Sequence, residues 1–189
     1  MLAPRILTIG HSNHSLEHFL SLLVRYSVKV VADVRSHPYS AYASIFDRER
    51  LAISLRTAGL EYVYFGNELG GRPRGNAYYD VDGRVLYGKV AESSAFLTGL
   101  ARLENGLRQC VVAIMCAEED PVGCHRRLLV SRVLATRGVT VEHIRGDGRL
   151  QTEDELQAAQ LGLFDGAEAA WKSIPSVSLK KRQSSFSAF

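Results

Sequence analysis

Short apolar runs alternate with amphipathic stretches along most of the chain, and this alternation constrains the fold more than any other feature. The apolar runs are rich in valine and isoleucine, and such runs are typical of strands that are covered on both faces. They lie at residues 5–9, 28–34, 60–65, 110–116 and 139–144. Helical spacing of apolar residues predicts helices between and after them, at about residues 16–24, 48–58, 90–106, 124–137 and 152–161.

Alternating strands and helices of this kind imply right-handed crossover units. We therefore predict a single three-layer α/β domain over residues 1–172, with a mostly parallel sheet of about five strands and helices on both faces. The 189-residue length suits one such domain. Residues 173–189 are polar and basic without periodicity, so we expect a disordered tail there.

Capping residues set several helix boundaries. Ser15 or Asn13 can start the first helix, because a side-chain oxygen there accepts from free N–H groups of the first turn. Asp47 is placed to cap the second helix in the same way. Thr152 followed by Glu155 is a capping box for the last helix.

The composition restricts the classes of function and the cellular location. The N-terminus lacks the pattern of a signal peptide, and no window approaches the roughly 18 apolar residues of a membrane span, so we expect a cytoplasmic protein without membrane contact. Cys110, Cys116 and Cys124 are too few for a disulfide framework and are expected to be reduced thiols. A net charge of +3 does not favour binding to long nucleic acids.

Polar residues follow the carboxyl ends of the predicted strands, where parallel sheets bind their ligands. They are His11, Ser12, Asp33, Arg35, Glu68, Cys116 and Glu118. The stretch from Cys116 to Arg127 is the densest in chemistry, because an acidic loop separates the strand-end cysteine from Cys124, His125 and Arg126 at a helix start.

Four segments of this kind are TIGHS (residues 8–12), DVRSHP (33–38), ELGGRP (68–73) and CAEEDPVGCHRR (116–127). In this order they resemble the bacterial and archaeal family called domain of unknown function 488, over about residues 5–150. Residues 39–44 (YSAYAS) depart from the family pattern, which more often has a basic residue and an Asn-Pro pair there. The resemblance implies an α/β fold and brings no established activity.

Arginines near the predicted edge indicate an anion site. Arg35 and Arg126 have guanidinium groups that suit phosphate or carboxylate, and a helix start offers free N–H groups. The alternative is that Arg126 pairs with acidic residues of the preceding loop. Further residues expected to line the ligand are Ser12, Glu68, Arg72 and His125.

Cys116 and Cys124 are candidate nucleophiles, since a thiol at a strand end before a helix can have a lowered pKa. A buried structural role for both is the alternative. Their spacing is unlike a Cys-x-x-Cys pair, so no metal is expected.

Proton transfer is assigned to His11, Asp33 and Glu118, although His11 could instead order its turn and Asp33 could brace Arg35. The leading hypothesis is an enzyme without a cofactor that acts on a small anionic, phosphate-bearing or nucleotide-like ligand. The alternative is a non-catalytic module that binds a ligand or nucleic acid and has structural cysteines; tyrosines interleaved with arginines make nucleic acid possible but not favoured.

Overall fold

The computed structural model describes residues 4–161 and 171–173. It contains β1 (Arg5–Gly10), β2 (Val30–Asp33), β3 (Glu61–Tyr64), β4 (Val112–Cys116), β5 (Thr140–Ile144) and β6 (Leu150–Thr152). These strands form one sheet in the order β3-β2-β4-β1-β5-β6. The first five are parallel and β6 is antiparallel to β5. The predicted α/β class is confirmed, with one strand more than the expected five.

Helices connect these strands. They are α1 (Leu16–Arg25), α2 (Arg48–Thr57), α3 (Gly66–Leu69), α4 (Tyr87–Ala91), α5 (Ser94–Leu107), α6 (Arg132–Thr136) and α7 (Glu153–Leu161). Short 3₁₀ turns lie at Ser44–Phe46 and Asn76–Tyr78, and a π-helical segment, Arg126–Ser131, leads into α6.

Two apolar clusters cover the two faces of the sheet, because successive side chains of a strand point to opposite faces. One cluster packs the strands against α1 and α2, through Leu7, Ile9, Val31, Ala113, Met115, Phe19, Leu23, Leu51 and Leu55. The other packs them against α5, the π-helical segment and α6, through Ile6, Ala32, Val112, Ile114, Phe96, Leu100, Leu129 and Leu134. The domain is therefore three-layered around a sheet whose carboxyl ends share one edge.

Two predicted helices differ from the structure. The helix expected at residues 90–106 is two helices, because Ser93 starts α5 by accepting from the N–H of Phe96 at 3.3 Å. The helix expected at 124–137 begins with the π-helical segment, and apolar spacing does not distinguish its wider turn from an α-helix.

The predicted caps are confirmed at both ends of the chain and wrong in the middle. Ser15 Oγ accepts from the N–H of His18 at 3.2 Å. Thr152 and Glu155 form the reciprocal capping box, at 2.8 and 3.2 Å. Asp47 makes no side-chain cap, because its Oδ1 accepts from the N–H of Ser40 at 2.9 Å and ties down the preceding loop instead.

Beyond α7 the structure describes residues 171–173. The N–H of Ser173 donates to the carbonyl of Val85 at 2.9 Å. The remaining residues of the predicted tail, 174–189, lie outside the described residues. None of the helices described has the length and apolar character needed to cross a membrane.

Candidate functional site

A pocket of about 170 Å³ opens at the carboxyl edge of the sheet. It lies where β2 and β4 end side by side, so that the residues following both strands contribute to its walls. Its lining residues are Arg35, Ser36, His37, Gly71, Arg72, Cys116, Ala117, Glu118 and His125. Five of the residues predicted for the site therefore share one cavity, namely Arg35, Arg72, Cys116, Glu118 and His125.

Cys116 and His125 form a pair at this pocket. The Sγ of Cys116 lies 3.6 Å from Nδ1 of His125. Nε2 of His125 lies 3.0 Å from the carbonyl oxygen of Val34. A carbonyl can only accept, so Nε2 carries a hydrogen and Nδ1 is left to take a proton from the thiol. This is the arrangement of a nucleophile, a base and a group that orients the base.

Cys124 is fully buried, does not line the pocket, and has its sulfur within 4.8 Å of the Cys116 sulfur. A hydrogen bond from the Cys124 thiol lowers the pKa of Cys116 against the opposing effects of burial and of Glu118, with help from the positive charge of Arg126. Burial, together with this same hydrogen bond, raises the pKa of Cys124 well above its ordinary value. Cys116 is therefore the more acidic thiol of the two.

Arg126 does not reach the pocket. Its side chain is fully buried, and its guanidinium donates to the carbonyl of Glu118 and, at 2.6 Å, to that of Glu119. Its Nε donates to Thr8 Oγ1 at 3.3 Å. Arg126 thus holds the acidic loop against β1, and no carboxylate among the described residues forms an ion pair with it.

Asp33 braces Arg35. The two oxygens of the fully buried Asp33 accept from Nε and Nη2 of Arg35, the shortest contact being 2.7 Å. The hydroxyl of Tyr62 donates to Asp33 Oδ2 at 2.6 Å. Although burial disfavours a charged guanidinium, the hydrogen bonds that Arg35 donates to Asp33 hold the pKa of Arg35 above its usual value. Asp33 has no free face for proton transfer, and Arg35 is positioned as a fixed cation in the pocket wall.

His11 lies beneath the pocket and is not among its lining residues. Its Nδ1 lies 2.9 Å from the carbonyl of Ser12, and its Nε2 lies 3.1 Å from Nη1 of Arg35. The ring stacks on Phe46 with centroids 4.4 Å apart. Burial, with a contribution from Arg35, lowers the pKa of His11 to about 4. The ring is therefore neutral near pH 7 and accepts from Arg35, which makes it a support for that cation.

Close packing requires glycine at three positions of the quoted segments, Gly10, Gly70 and Gly71, and the first and last of these contact the site. A Cβ added at Gly71 would lie 2.6 Å from Cγ of His125, so this glycine lets the chain pass directly over the imidazole. A Cβ added at Gly10 would collide with the carbonyl of Glu118. Both glycines belong to the site because they set the distance between its elements.

The other predicted ligand residues are dispersed. Ser12 lies outside the pocket, with its N–H bonded to the carbonyl of Ala117 at 2.7 Å and its φ at 44°. Glu68 pairs with Arg102 at 2.6 Å and lines a neighbouring cavity of about 420 Å³. Arg72 lines both cavities, and its N–H donates to Ser36 Oγ at 2.9 Å while its side chain is exposed.

Sequence reasoning missed several residues of the site and a buried network next to it. Ser36, His37 and Ala117 line the pocket, and none of them was assigned to the site from the sequence. His143 is fully buried between Thr8 Oγ1 at 2.8 Å and Glu153 Oε2 at 3.1 Å. The pattern that could have revealed His143 is its position inside a predicted apolar strand, where a histidine needs partners.

Cys116, Cys124 and His125 have the geometry to hold a metal ion. Their ligand atoms all lie within 4.8 Å of one another, and all three residues are buried. The 3.6 Å between Sγ and Nδ1 is close to the separation in a tetrahedral zinc site, with bonds of about 2.3 and 2.0 Å. The contact of His125 with Val34 is also typical of a metal ligand.

The charges around these three residues favour thiol chemistry over a metal ion. Arg126 is buried beside both thiols, and Arg35 is close enough to Cys116 to interact with it electrostatically. A single Cys116 thiolate balances the charge of Arg126, whereas a divalent cation with two thiolates leaves that charge uncompensated.

Fold and site together define a parallel α/β protein with a cysteine–histidine pair at the carboxyl edge of its sheet. The family model described as "Domain of unknown function DUF488" matches residues 15–133, and the chain belongs to this family. No curated protein and no solved structure matches the chain.

Proposed function

We propose that the protein is a thiol-dependent enzyme that acts on a small anionic, phosphate-bearing or nucleotide-like substrate, with Cys116 as the nucleophile. The observation that carries this proposal is the position of Cys116 Sγ, 3.6 Å from Nδ1 of His125, in a pocket that Arg35 and Arg72 also line. The family itself has no activity in its description, so the proposal rests on this geometry.

The first step is the transfer of the Cys116 proton to Nδ1 of His125, which the contact of Nε2 with Val34 leaves free. The thiolate then attacks the electrophilic atom of the substrate, forming a bond to sulfur while the leaving group departs with the proton from His125. A second nucleophile releases the group from Cys116 and restores the thiol.

Recognition of the anion falls to the arginines. Arg35 is held rigidly by Asp33, while Arg72 has its backbone anchored on Ser36 and an exposed side chain that can approach a ligand. Paired guanidinium groups bind phosphate and carboxylate well. The neighbouring cavity of about 420 Å³ shares Arg72 and adds Tyr78, which gives room for the remainder of a nucleotide-like substrate.

A non-catalytic binding module is the second candidate, and the 6% exposure of Cys116 favours it. In this alternative function the same arginines bind an anion, and Cys116 and Cys124 are both structural. Reactivity of Cys116 separates the two functions. We also propose a cytoplasmic location, where thiols stay reduced.

The test is alkylation of Cys116 as a function of pH, in a Cys110→Ser protein that lacks the half-buried third thiol. We expect a midpoint below the value of about 8.5 for an ordinary cysteine. The ratio of the alkylation rate with iodoacetate to the rate with iodoacetamide should be higher for Cys116 than for free cysteine. The reason is that the arginines attract the carboxylate of iodoacetate.

Arg72→Gln should remove much of that preference for iodoacetate, and Arg74→Gln is the matched control because Arg74 lines only the neighbouring cavity. An alkylation midpoint at or above that of free cysteine would contradict the proposal that Cys116 is a nucleophile. The non-catalytic binding module would then be the better candidate.

A further inference from the structure

We propose that Cys116 and Cys124 work as a dithiol–disulfide couple, and that the protein reduces disulfide bonds in small anionic substrates. This inference rests on the proposed function, since Cys116 must be the attacking thiol, and it adds the class of bond that is attacked.

The two sulfurs are arranged as an attacking and a resolving thiol. Cys116 lines the pocket and is 6% exposed, while Cys124 is fully buried and is not among the lining residues. The sulfurs of Cys116 and Cys124 and the imidazole of His125 lie together, with the two sulfurs within 4.8 Å of each other. A disulfide has an S–S distance of about 2.05 Å, so the two sulfurs must approach each other for the bond to form.

The presence of the second thiol distinguishes between substrate classes. A phosphoryl or acyl group on Cys116 would be released by a water molecule from the pocket. That hydrolysis needs no second thiol next to Cys116. A mixed disulfide on Cys116 is released when another thiolate attacks the Cys116 sulfur. Cys124 is placed for that attack, because its sulfur lies within 4.8 Å of the Cys116 sulfur and Cys124 is not among the residues that line the pocket.

The reaction proceeds in two balanced steps. The Cys116 thiolate attacks one sulfur of the substrate, its S–S bond breaks, and the departing thiolate takes the proton held by His125. His125 then accepts the Cys124 proton, and the Cys124 thiolate attacks the Cys116 sulfur. The second substrate thiolate leaves with that proton, so two protein thiols become a disulfide and the substrate disulfide becomes two thiols. An external dithiol reductant restores Cys116 and Cys124.

Contacts of His125 with both sulfurs make it suitable for both proton transfers. Its Nδ1 lies 3.6 Å from the sulfur of Cys116, and the sulfur of Cys124 is within 4.8 Å of the imidazole. Arg126 stabilises the reduced pair through its charge, and stabilising the thiolate makes a dithiol couple more oxidising. The couple is therefore expected to be easily reduced again.

The experiment uses the full chain with Cys110→Ser, reduced and freed of reductant, and oxidised glutathione as the anionic disulfide. We expect release of two glutathione molecules per chain and a Cys116–Cys124 disulfide in the peptide map. Cystamine, a cationic disulfide, is the matched control and should react about tenfold more slowly, since the arginines repel it.

Variants at Cys124 trap the intermediate. Cys124→Ser and Cys124→Ala should each stop at one glutathione bound to Cys116, with a single glutathione released. Circular dichroism checks that each variant is folded. Two different replacements are used so that a folding defect in one of them does not decide the result.

The outcomes separate the two proposals. If Cys116 alkylates with a lowered midpoint yet no Cys116–Cys124 disulfide forms, the dithiol couple is wrong and the nucleophile stands. If Cys116 reacts with neither reagent, both are wrong. Stoichiometric zinc in protein purified without chelators, bound so that the thiols are protected from alkylation, would also overturn the dithiol couple.

Discussion

Arg35 and Asp33 form a buried ion pair in which Nη2 lies 2.7 Å from Oδ2. Asp33 is fully buried, and Arg35 is 6% exposed. Asp33→Asn replaces one accepting oxygen by a donor and leaves the guanidinium without a counter-charge. Breaking a buried pair in this way costs about 3–5 kcal/mol, so we expect the free energy of unfolding in urea to fall by that amount.

The control is the same change in an exposed pair. Asp147 lies 3.2 Å from Arg149, with both side chains more than half exposed. Asp147→Asn should change the free energy of unfolding by less than about 1 kcal/mol, since exposed pairs contribute little. Equal effects of the two substitutions would show that Asp33 is not the counter-charge that holds Arg35.

Protonation of His11 is expected to make stability depend on pH. Its pKa is lowered from 6.5 to about 4 by burial and by Arg35. The unfolded chain therefore binds a proton at a higher pH than the folded chain does. The free energy of unfolding should fall as the pH drops from 6.5 to 4, by up to about 3 kcal/mol from this residue.

Comparison with His11→Gln isolates this contribution, because glutamine offers Arg35 an acceptor that does not titrate. Burial also lowers the pKa of His143, so the wild-type slope contains both histidines, and only the difference between the proteins reports His11. Urea denaturation at several pH values between 4 and 7 measures it. Parallel curves for the two proteins would contradict a neutral, buried His11.

The edge of the sheet where the site lies could be predicted from the sequence, because the carboxyl ends of parallel strands meet there. This reasoning placed Arg35, Cys116 and Glu118 in one region, and the pocket contains all three. It could not resolve which side chains point inward. Glu68 follows β3 as expected, yet it turns away to pair with Arg102.

Arg126 shows why side-chain direction was not predictable. Successive residues of a helix point about 100° apart, so His125 can face the pocket only if Arg126 points elsewhere. The carbonyls of Glu118 and Glu119 accept its guanidinium, and carbonyl positions in a loop cannot be read from the sequence. The same rotation brings Cys124 and His125 together with Cys116, which spacing alone argued against.

Gly71 should be required for reactivity of Cys116. A Cβ there would lie 2.6 Å from Cγ and 2.9 Å from Nδ1 of His125, so Gly71→Ala must shift the imidazole away from the thiol. We expect a rise in the alkylation midpoint of Cys116 toward that of an ordinary cysteine, measured with iodoacetamide over a range of pH.

Gly106→Ala is the matched control for this substitution. A Cβ at Gly106 would meet Val112 Cγ2 at 3.7 Å, an ordinary contact, and Gly106 lies in α5 beside a different cavity that shares no lining residue with the site. Alanine is favoured over glycine in a helix by up to about 1 kcal/mol, so this protein should be at least as stable. An unchanged midpoint in Gly71→Ala would show that the position of the imidazole does not govern the thiol.

Arg126 and Arg72 are expected to act differently on an anionic reagent. Arg126 is fully buried and donates to loop carbonyls, while Arg72 is exposed at the pocket. Arg126→Lys keeps the positive charge near Cys116 but replaces three separate donor nitrogens, which reach Thr8 and the carbonyls of Glu118 and Glu119, by a single one. It should lower the thermal stability of the fold and leave the rate of iodoacetate relative to iodoacetamide nearly unchanged. Arg72→Gln should leave the thermal stability nearly unchanged and lower the rate of iodoacetate relative to iodoacetamide. If Arg126→Lys abolished the preference for iodoacetate in protein that remains folded, Arg126 would be a direct contact of the anion, as the sequence first suggested.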